Sequence, residues 1–286
     1  MDNLKAKKRH PEEIAVYTAI YVCAAFSVLL LLGIIIYVFA KGARRVNWAF
    51  LTGVTSILHG TVGIAGNILY TLIIILLTMI ITTPIGVGAA IYLNEYAKPG
   101  KLVTVIIFAT ETLAGIPSII FGLFGMLFFG QLCHMGYSLL TGSLTLTLMV
   151  LPLVTRNTQE ALKTVPDSFR TGAVGLGAGK WYTIRTILLP SAMPGIVTGV
   201  ILAIGRIIGE SAALLFTAGS AHLLPKTFNA FLEKIFHSGG TLTIQLYLSA
   251  SKGEFEVAFG IAVVLLVIVL LINFGTKRLA KKLEKH

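Results

Sequence analysis

The sequence predicts an all-α membrane protein with six transmembrane helices and both termini in the cytoplasm. Three observations carry this prediction. Hydrophobic residues make up 56% of the 286 positions and charged residues only 12%, against about 25% charged in a typical soluble domain. Five stretches, 14–40, 46–94, 112–155, 186–205 and 257–276, contain no Asp, Glu, Lys or Arg. The cations between them crowd into alternate loops. With a mean hydropathy of +0.87, these features exclude a disordered chain, a coiled coil and an ordinary cytosolic enzyme.

Each span follows from length and polarity. A membrane helix needs about 20 mostly apolar residues, and lipid cannot satisfy backbone polar groups outside helices or closed barrels. The strand alternation of a barrel is absent. The helices are placed at about 14–40, 66–93, 102–130, 137–156, 192–216 and 257–276. The first run, Ile14 to Ala40, is too long for the core of a cleavable signal and lacks a small-residue cleavage site. The loops 1–13, 94–101, 157–191 and 277–286, with Arg156 at their border, carry sixteen Lys and Arg. The opposite loops, 41–65, 131–136 and 217–256, carry six, and Arg206 lies inside a span. This asymmetry sets the cytoplasmic side, although Lys41, Arg44 and Arg45 run against it. The chain then divides into 1–65 (tail, first span, outer loop), a 66–276 core of five spans, and a basic tail at 277–286. The outer segment 217–256 has apolar patches around Phe228–Phe236 and Leu242–Leu248, which suit short surface or re-entrant helices.

The net charge of +11 reflects this topology and not a nucleic-acid partner. Cys23 and Cys133 form no C-x-x-C pattern and are not placed to bridge. His59, His134, His222 and His237 fall in outward loops or edges without metal-ligand spacing, and His10 and His286 are terminal. Asp2 and Asp167 are both cytoplasmic, so no span offers a Ser–His or Asp–Asp pair for an intramembrane hydrolase.

The 157–191 loop carries the most specific motif. Helical character over 159–170 is interrupted at Pro166 and Asp167, and Gly175, Gly177 and Gly179 permit a tight turn. Lys180 to Leu189 then shows amphipathic helical spacing, which Pro190 is expected to end. Such a helix pair outside the membrane suits a partner's groove. The three glycines follow no strand and lack the Lys-Ser/Thr of a phosphate loop, so they do not form a nucleotide fingerprint. The spacing resembles the EAA loop of binding-protein-dependent ABC importers, which seats a coupling helix in a cleft of the ATPase. Gly177, Ile187, Leu189 and Pro190 take that motif's fixed positions, and Ala173 takes the third position of its opening triplet. Thr171 stands where glutamate is usual and Gly172 where the first alanine is usual.

Two spans contain charge. Arg206 and Glu210 are four residues apart, so in one helix they would share a face, about 18 Å along from Pro194 in the case of Arg206. A buried charge of this kind costs at least about 2.5 kcal/mol and usually faces a bundle interior. A guanidinium matches a phosphate-like oxyanion by its fork of donors. Glu210 is expected to hold and partly neutralise it, and an internal pair that only locks helices is the bland alternative. In the third span Glu111 and Ser118 flank a break at Pro117, and either could face the same pathway; a plain proline kink competes. Gly86, Gly88, Ala89, Ala90, Gly115, Gly122, Gly195, Gly199, Gly205 and Gly209 predict close helix packing.

The blocks TPIGVGAAIYLNEYA (Thr83–Ala97), LAGIPSIIFGLFG (Leu113–Gly125) and GRIIGESAALLF (Gly205–Phe216) resemble the permease subunits of bacterial high-affinity phosphate ABC importers, which have a type I (MetI-like) fold, and the A-type subunit more closely than the C-type. The resemblance implies a heterodimer with a C-type subunit, two copies of a phosphate-transport ATPase on the coupling loops, and an extracytoplasmic phosphate-binding protein that delivers inorganic phosphate. It also implies that ATP and Mg are bound by the ATPase and that this subunit is not an enzyme. Arg206 and Glu210 match the charged pair of that family's fifth span. Sulfate or molybdate permeases share the architecture; a channel would have no use for a coupling loop.

Overall fold

The computed structural model describes residues 11–56, 61–225 and 227–283. Asp2, the cations Lys5, Lys7, Lys8 and Arg9, His10, His59, Lys226, Lys285 and His286 lie outside the described residues. Helix α1 (Pro11–Gly42) leads through a 3-10 turn (Ala43–Arg45) to α2 (Trp48–Thr52). Asn47 caps α2 by accepting the Phe50 N–H at 2.8 Å. A small antiparallel hairpin follows, β1 (Val54–Ser56) and β2 (Thr61–Ile64), with Val54 opposite Ile64 and Ser56 opposite Thr61. The all-α reading did not anticipate it. It closes where Gly53 and Gly63 touch; a Cβ on Gly63 would fall 2.1 Å from the Gly53 carbonyl carbon.

Helix α3 (Ala65–Ile91) runs into a π turn (Tyr92–Tyr96), and α4 (Lys101–Ala114), α5 (Ser118–Gly125) with a further π stretch (Met126–Leu132), and α6 (Leu139–Lys163) follow. The third span is not one rod: α4 and the α5 segment are bent by 104°. Pro117 supplies no N–H, and its φ of −59° with ψ of 141° is the extended geometry that starts α5 afresh. Helix α6 continues seven residues beyond the expected end at 156.

Beyond α7 (Asp167–Gly175) the chain forms α8 (Lys180–Thr183), a π turn (Ile184–Leu188) and α9 (Leu189–Gly209), which together make one helical span, Lys180–Gly209. Pro190 therefore does not end the helix. The π turn ahead of it re-pairs the backbone, with the Leu189 N–H reaching the Ile184 carbonyl, the kind of adjustment that lets proline sit inside a membrane helix. The fifth span begins about twelve residues earlier than expected and stops before Glu210, after which α10 (Ala212–Thr217) turns away. The outer segment folds into α11 (Phe228–Glu233) and α12 (Leu242–Ser251), and α13 (Phe255–Leu283) closes the bundle.

The core lies where α3, α6 and α9 meet, around Tyr70, Ile74, Leu146, Met149, Ala203 and Leu214. Between apolar helices in lipid, close backbone approach and hydrogen bonds hold the assembly together. Several of the predicted small residues do this. A Cβ on Gly195 would lie 2.5 Å from Ala161, one on Gly199 2.6 Å from Asn157, and one on Gly122 2.8 Å from the Ala213 Cα. Gly88, Gly205 and Gly209 face open space within the chain. Helix α12 is tied to α3: the Leu242 N–H donates to Thr71 Oγ1 at 3.0 Å, and Asn67 Nδ2 donates to the Gly240 carbonyl at 2.8 Å.

Candidate functional site

Helices α4, α6 and α9 form a groove. One cavity of about 200 Å³ is lined by Glu111 of α4, Arg156 of α6 and Arg206 of α9, with Thr110, Met149 and Pro152 among its walls. A second, of about 220 Å³, shares Thr110, Glu111 and Arg156 and continues to Gln159, Glu160 and Lys163. Arg206 sits in the last turn of α9, where the exposed carbonyls of a helix end favour a cation. The structure thus brings Glu111 and Arg206 to one cavity, as the sequence suggested. It adds Arg156, which lies inside α6 and not at a loop border because that helix runs seven residues past its predicted end. Two guanidiniums and one carboxylate leave the Arg206 end net cationic. Toward Lys163 the charges balance, with Glu160 paired to Lys163 at 3.1 Å.

Glu210 and Ser118 are not in this groove. The chain leaves the helix at Glu210 (φ −83°, ψ 122°), so the four-residue spacing no longer shares a face, and among the described residues no ion pair joins Glu210 to Arg206. Glu210 instead serves the break itself. Its Oε1 accepts the Ala213 N–H at 3.0 Å, at the start of α10, and its carbonyl accepts from Thr243 Oγ1 at 2.9 Å. A carboxylate at a helix start satisfies orphan donors, which explains the residue type without a role beside Arg206. Ser118 opens α5 and lines neither cavity.

At the opposite end of α9 the loop motif takes a definite shape. Helix α7 is closed off by Gly177, two residues past its end, whose φ of +79° is left-handed. The Ala178 N–H bonds to the Ala173 carbonyl and the Gly177 N–H to the Val174 carbonyl, both at 2.9 Å, a Schellman cap. Nothing of this chain lies within 4 Å of a Cβ on Gly177, so glycine is needed there for its backbone conformation. Thr171, in the glutamate's place, is exposed and donates to the carbonyls of Asp167 (3.2 Å) and Ser168 (3.3 Å). Ala173 is buried and Gly172 is exposed. Leu188 is fully buried among Ala161, Leu162 and Val165, and Leu189 packs beside it; Ile187 is half-buried and Pro190 exposed. Phe169, Val174, Leu176, Trp181 and Tyr182 are exposed, Leu176 to 91%. Phe169, Val174 and Leu176 lie between the spans and Trp181 and Tyr182 at the start of the span Lys180–Gly209, and an apolar surface of this kind is a candidate contact site.

The loop is fastened by residues that spacing arguments missed. Arg170 donates to Glu95 Oε1 (Nη2, 2.9 Å), to Asp167 Oδ1 (2.9 Å) and to the carbonyls of Leu162 and Val165 (both 3.0 Å). Its Nε also reaches Glu95, at 3.3 Å. All five N–H donors of the fork are engaged. The hydrogen bond to Glu95 pushes the Arg170 pKa above its ordinary value, against the opposing effect of burial. Lys180 stands 4.8 Å from the centre of the Tyr96 ring. Both arms of the loop therefore rest on the π turn after α3, the Leu93–Tyr96 part of a block noted for its resemblance alone. Among the described residues, no three His, Cys, Asp or Glu side chains gather to hold a metal.

Comparison with known proteins agrees with this architecture. Residues 82–286 match the family described as binding-protein-dependent transport system inner membrane component. A probable ABC transporter permease protein, YqgI of Bacillus subtilis, is 35% identical over 92% of this chain and 93% of its own length. The phosphate transport system permease protein PstA of Xylella fastidiosa (strain Temecula1) is 35% identical over 84% of this chain and 82% of its own. Among solved structures, a chain of the bacterial alginate ABC transporter superposes with a TM-score of 0.71 at 14% identity, covering 96% of both chains. A chain of the inward-facing MetNI methionine ABC transporter gives 0.58 at 21% identity, over 77% of this chain and 94% of that one. The chain belongs to the binding-protein-dependent transport system inner membrane components and is a multi-pass permease subunit of an ABC importer in the bacterial plasma membrane.

Proposed function

We propose that this chain is the A-type permease subunit of an ATP-driven importer of inorganic phosphate. The observation that carries the reading is the groove in which Arg206 and Arg156 converge with a single carboxylate, Glu111. Two guanidinium forks offer up to ten N–H donors to a tetrahedral oxyanion, and their charge selects against neutral and cationic solutes. Glu111 can accept from the proton of a monohydrogen or dihydrogen phosphate, which sulfate lacks at neutral pH. The relative named as a phosphate transport system permease favours the same substrate.

On this reading the core 66–276 forms half of the translocation pathway, beside a C-type subunit. The 157–191 segment, with Thr171, Gly172, Ala173, Gly177, Ile187, Leu189 and Pro190, faces the cytoplasm with both termini and seats one of two ATPase copies. An extracytoplasmic phosphate-binding protein delivers the anion to the other side. ATP and Mg are held by the ATPase, and this chain hydrolyses nothing. The outer segment 217–256 and the first span frame the core.

The test is uptake of labelled phosphate into vesicles containing the permease with its partner subunit, ATPase and binding protein. ATP-dependent uptake should be blocked by unlabelled phosphate and not by sulfate or molybdate, and it should vanish with Arg206→Gln in an assembled complex. Competition by sulfate or molybdate would overturn the substrate while leaving the importer.

A further inference from the structure

A second cluster of cations lies at the end of the bundle opposite the coupling loop. Lys41 is in the last turn of α1, and Arg44 and Arg45 form the 3-10 turn after it. With Tyr37, Glu256 and Phe259 they line an open cavity of about 1010 Å³ between α1 and the start of α13. These are half of the six cations on the side that the charge asymmetry makes the outer one, where the general bias is against them. Among the described residues none of the three forms an ion pair, with Glu256 or any other carboxylate. The Arg45 guanidinium stands 5.9 Å from the centre of the Phe50 ring, and its Nε is buried without a hydrogen-bond partner. A donor left in that state is costly. One side of the cavity is α1, whose apolar surface is exposed along its length, and Tyr37, Trp48 and Phe255 are exposed around it, the aromatic belt of a membrane–water interface.

We propose that this cavity binds a phosphate-bearing anion, the phosphodiester headgroup of an anionic phospholipid, between Lys41, Arg44 and Arg45. The chemistry is that of a guanidinium fork and an ammonium on phosphate oxygens. Its position at the lipid-facing edge favours a headgroup over free inorganic phosphate, whose chemistry the site shares. The inference is independent of the groove around Arg206 and of the substrate proposed for it.

The experiment uses the assembled importer in nanodiscs of phosphatidylcholine, titrated with fluorescent phosphatidylglycerol, and compares wild type with Lys41→Gln/Arg44→Gln/Arg45→Gln. At about fivefold per cation, the triple variant should bind phosphatidylglycerol about a hundredfold more weakly. Arg44→Lys/Arg45→Lys should retain most of the affinity. If the triple variant does not assemble, Arg44→Gln alone should show the fivefold loss. Inorganic phosphate is titrated as a competitor. If it displaces the lipid at micromolar concentration, and the three cations govern its binding, the anion is the free ion and the headgroup assignment is overturned. Equal phosphatidylglycerol affinity in wild type and variants, or retention of phosphatidylcholine as strong as that of phosphatidylglycerol, overturns the site altogether.

Discussion

Replacing Arg170 by alanine should free the coupling loop from the bundle without unfolding the bundle. Arg170 is 23% exposed and its partner Glu95 8%, so their pair stands between exposed ion pairs, worth about 0–1 kcal/mol, and buried ones, whose breaking costs about 3–5 kcal/mol. The Asp167 contact adds little, because that carboxylate is 91% exposed. The Leu162 and Val165 carbonyls also lose their donor. Together these place the cost at about 2–3 kcal/mol, felt locally by α7. Opening of Asp167–Ala178 should then become about fiftyfold more frequent, at about 1.4 kcal/mol per tenfold. Hydrogen–deuterium exchange of the reconstituted permease reads this directly. Amides of that segment should exchange about fifty times faster while those of α3 and α6 within the core keep their protection. Glu95→Gln, which still offers an acceptor, should show a smaller effect in the same segment. Exchange in Asp167–Ala178 that changes less than twofold, or acceleration spread equally through α6, would refute the reasoning that Arg170 is the local fastening.

Arg206→Lys should lose most uptake despite keeping the charge, since the ammonium cannot reproduce the fork; near-normal uptake would mean that charge alone suffices. Glu210→Gln should retain uptake and melting temperature within a few degrees, because the amide oxygen can still accept the Ala213 N–H, whereas Glu210→Ala should cost about 1 kcal/mol of stability. Loss of transport in Glu210→Gln with normal assembly would restore a charge role for that side chain. Gly177→Val should cost at least about 1–2 kcal/mol at its left-handed φ and weaken ATPase co-purification, with uptake falling in parallel. Gly122→Val should lower the thermal midpoint of the permease, as its Cβ would meet the Ala213 backbone at 2.8 Å and force α5 and α10 apart.

The spans were legible because their signal is a bulk one: uncharged length has few other uses in a chain of this composition. Turn chemistry was less so. Pro117 did break its span and Pro190 did not, although both lack the same N–H. The difference lies in whether a π turn ahead can re-pair the backbone, and that depends on tertiary packing that periodicity does not encode. Glu210 was misassigned because a four-residue spacing has meaning only inside a continuous helix, and its own side chain caps the helix that follows the break. Arg156 was missed because a charge at the edge of an apolar run reads as loop. Glu95 and Arg170 are 75 residues apart, beyond the reach of any local rule. Glu111 lines a cavity with Arg206, in keeping with the few roles open to an acid deep in a span other than facing a polar space.

The helix Lys180–Gly209 can be treated as a beam. It packs tightly on α6 at Gly195, where a Cβ would lie 2.5 Å from Ala161, which gives it a fulcrum near its middle. Lys180 lies about 22 Å from that point on one side and Arg206 about 16 Å on the other. A 10° rotation about the fulcrum moves the loop end by about 4 Å and carries Arg206 about 3 Å the opposite way. A hydrogen bond is formed or lost over less than 1 Å. A modest displacement at the loop would thus be enough to bring the Arg206 fork into reach of an anion in the groove, or to withdraw it, with no change in the helix's internal structure.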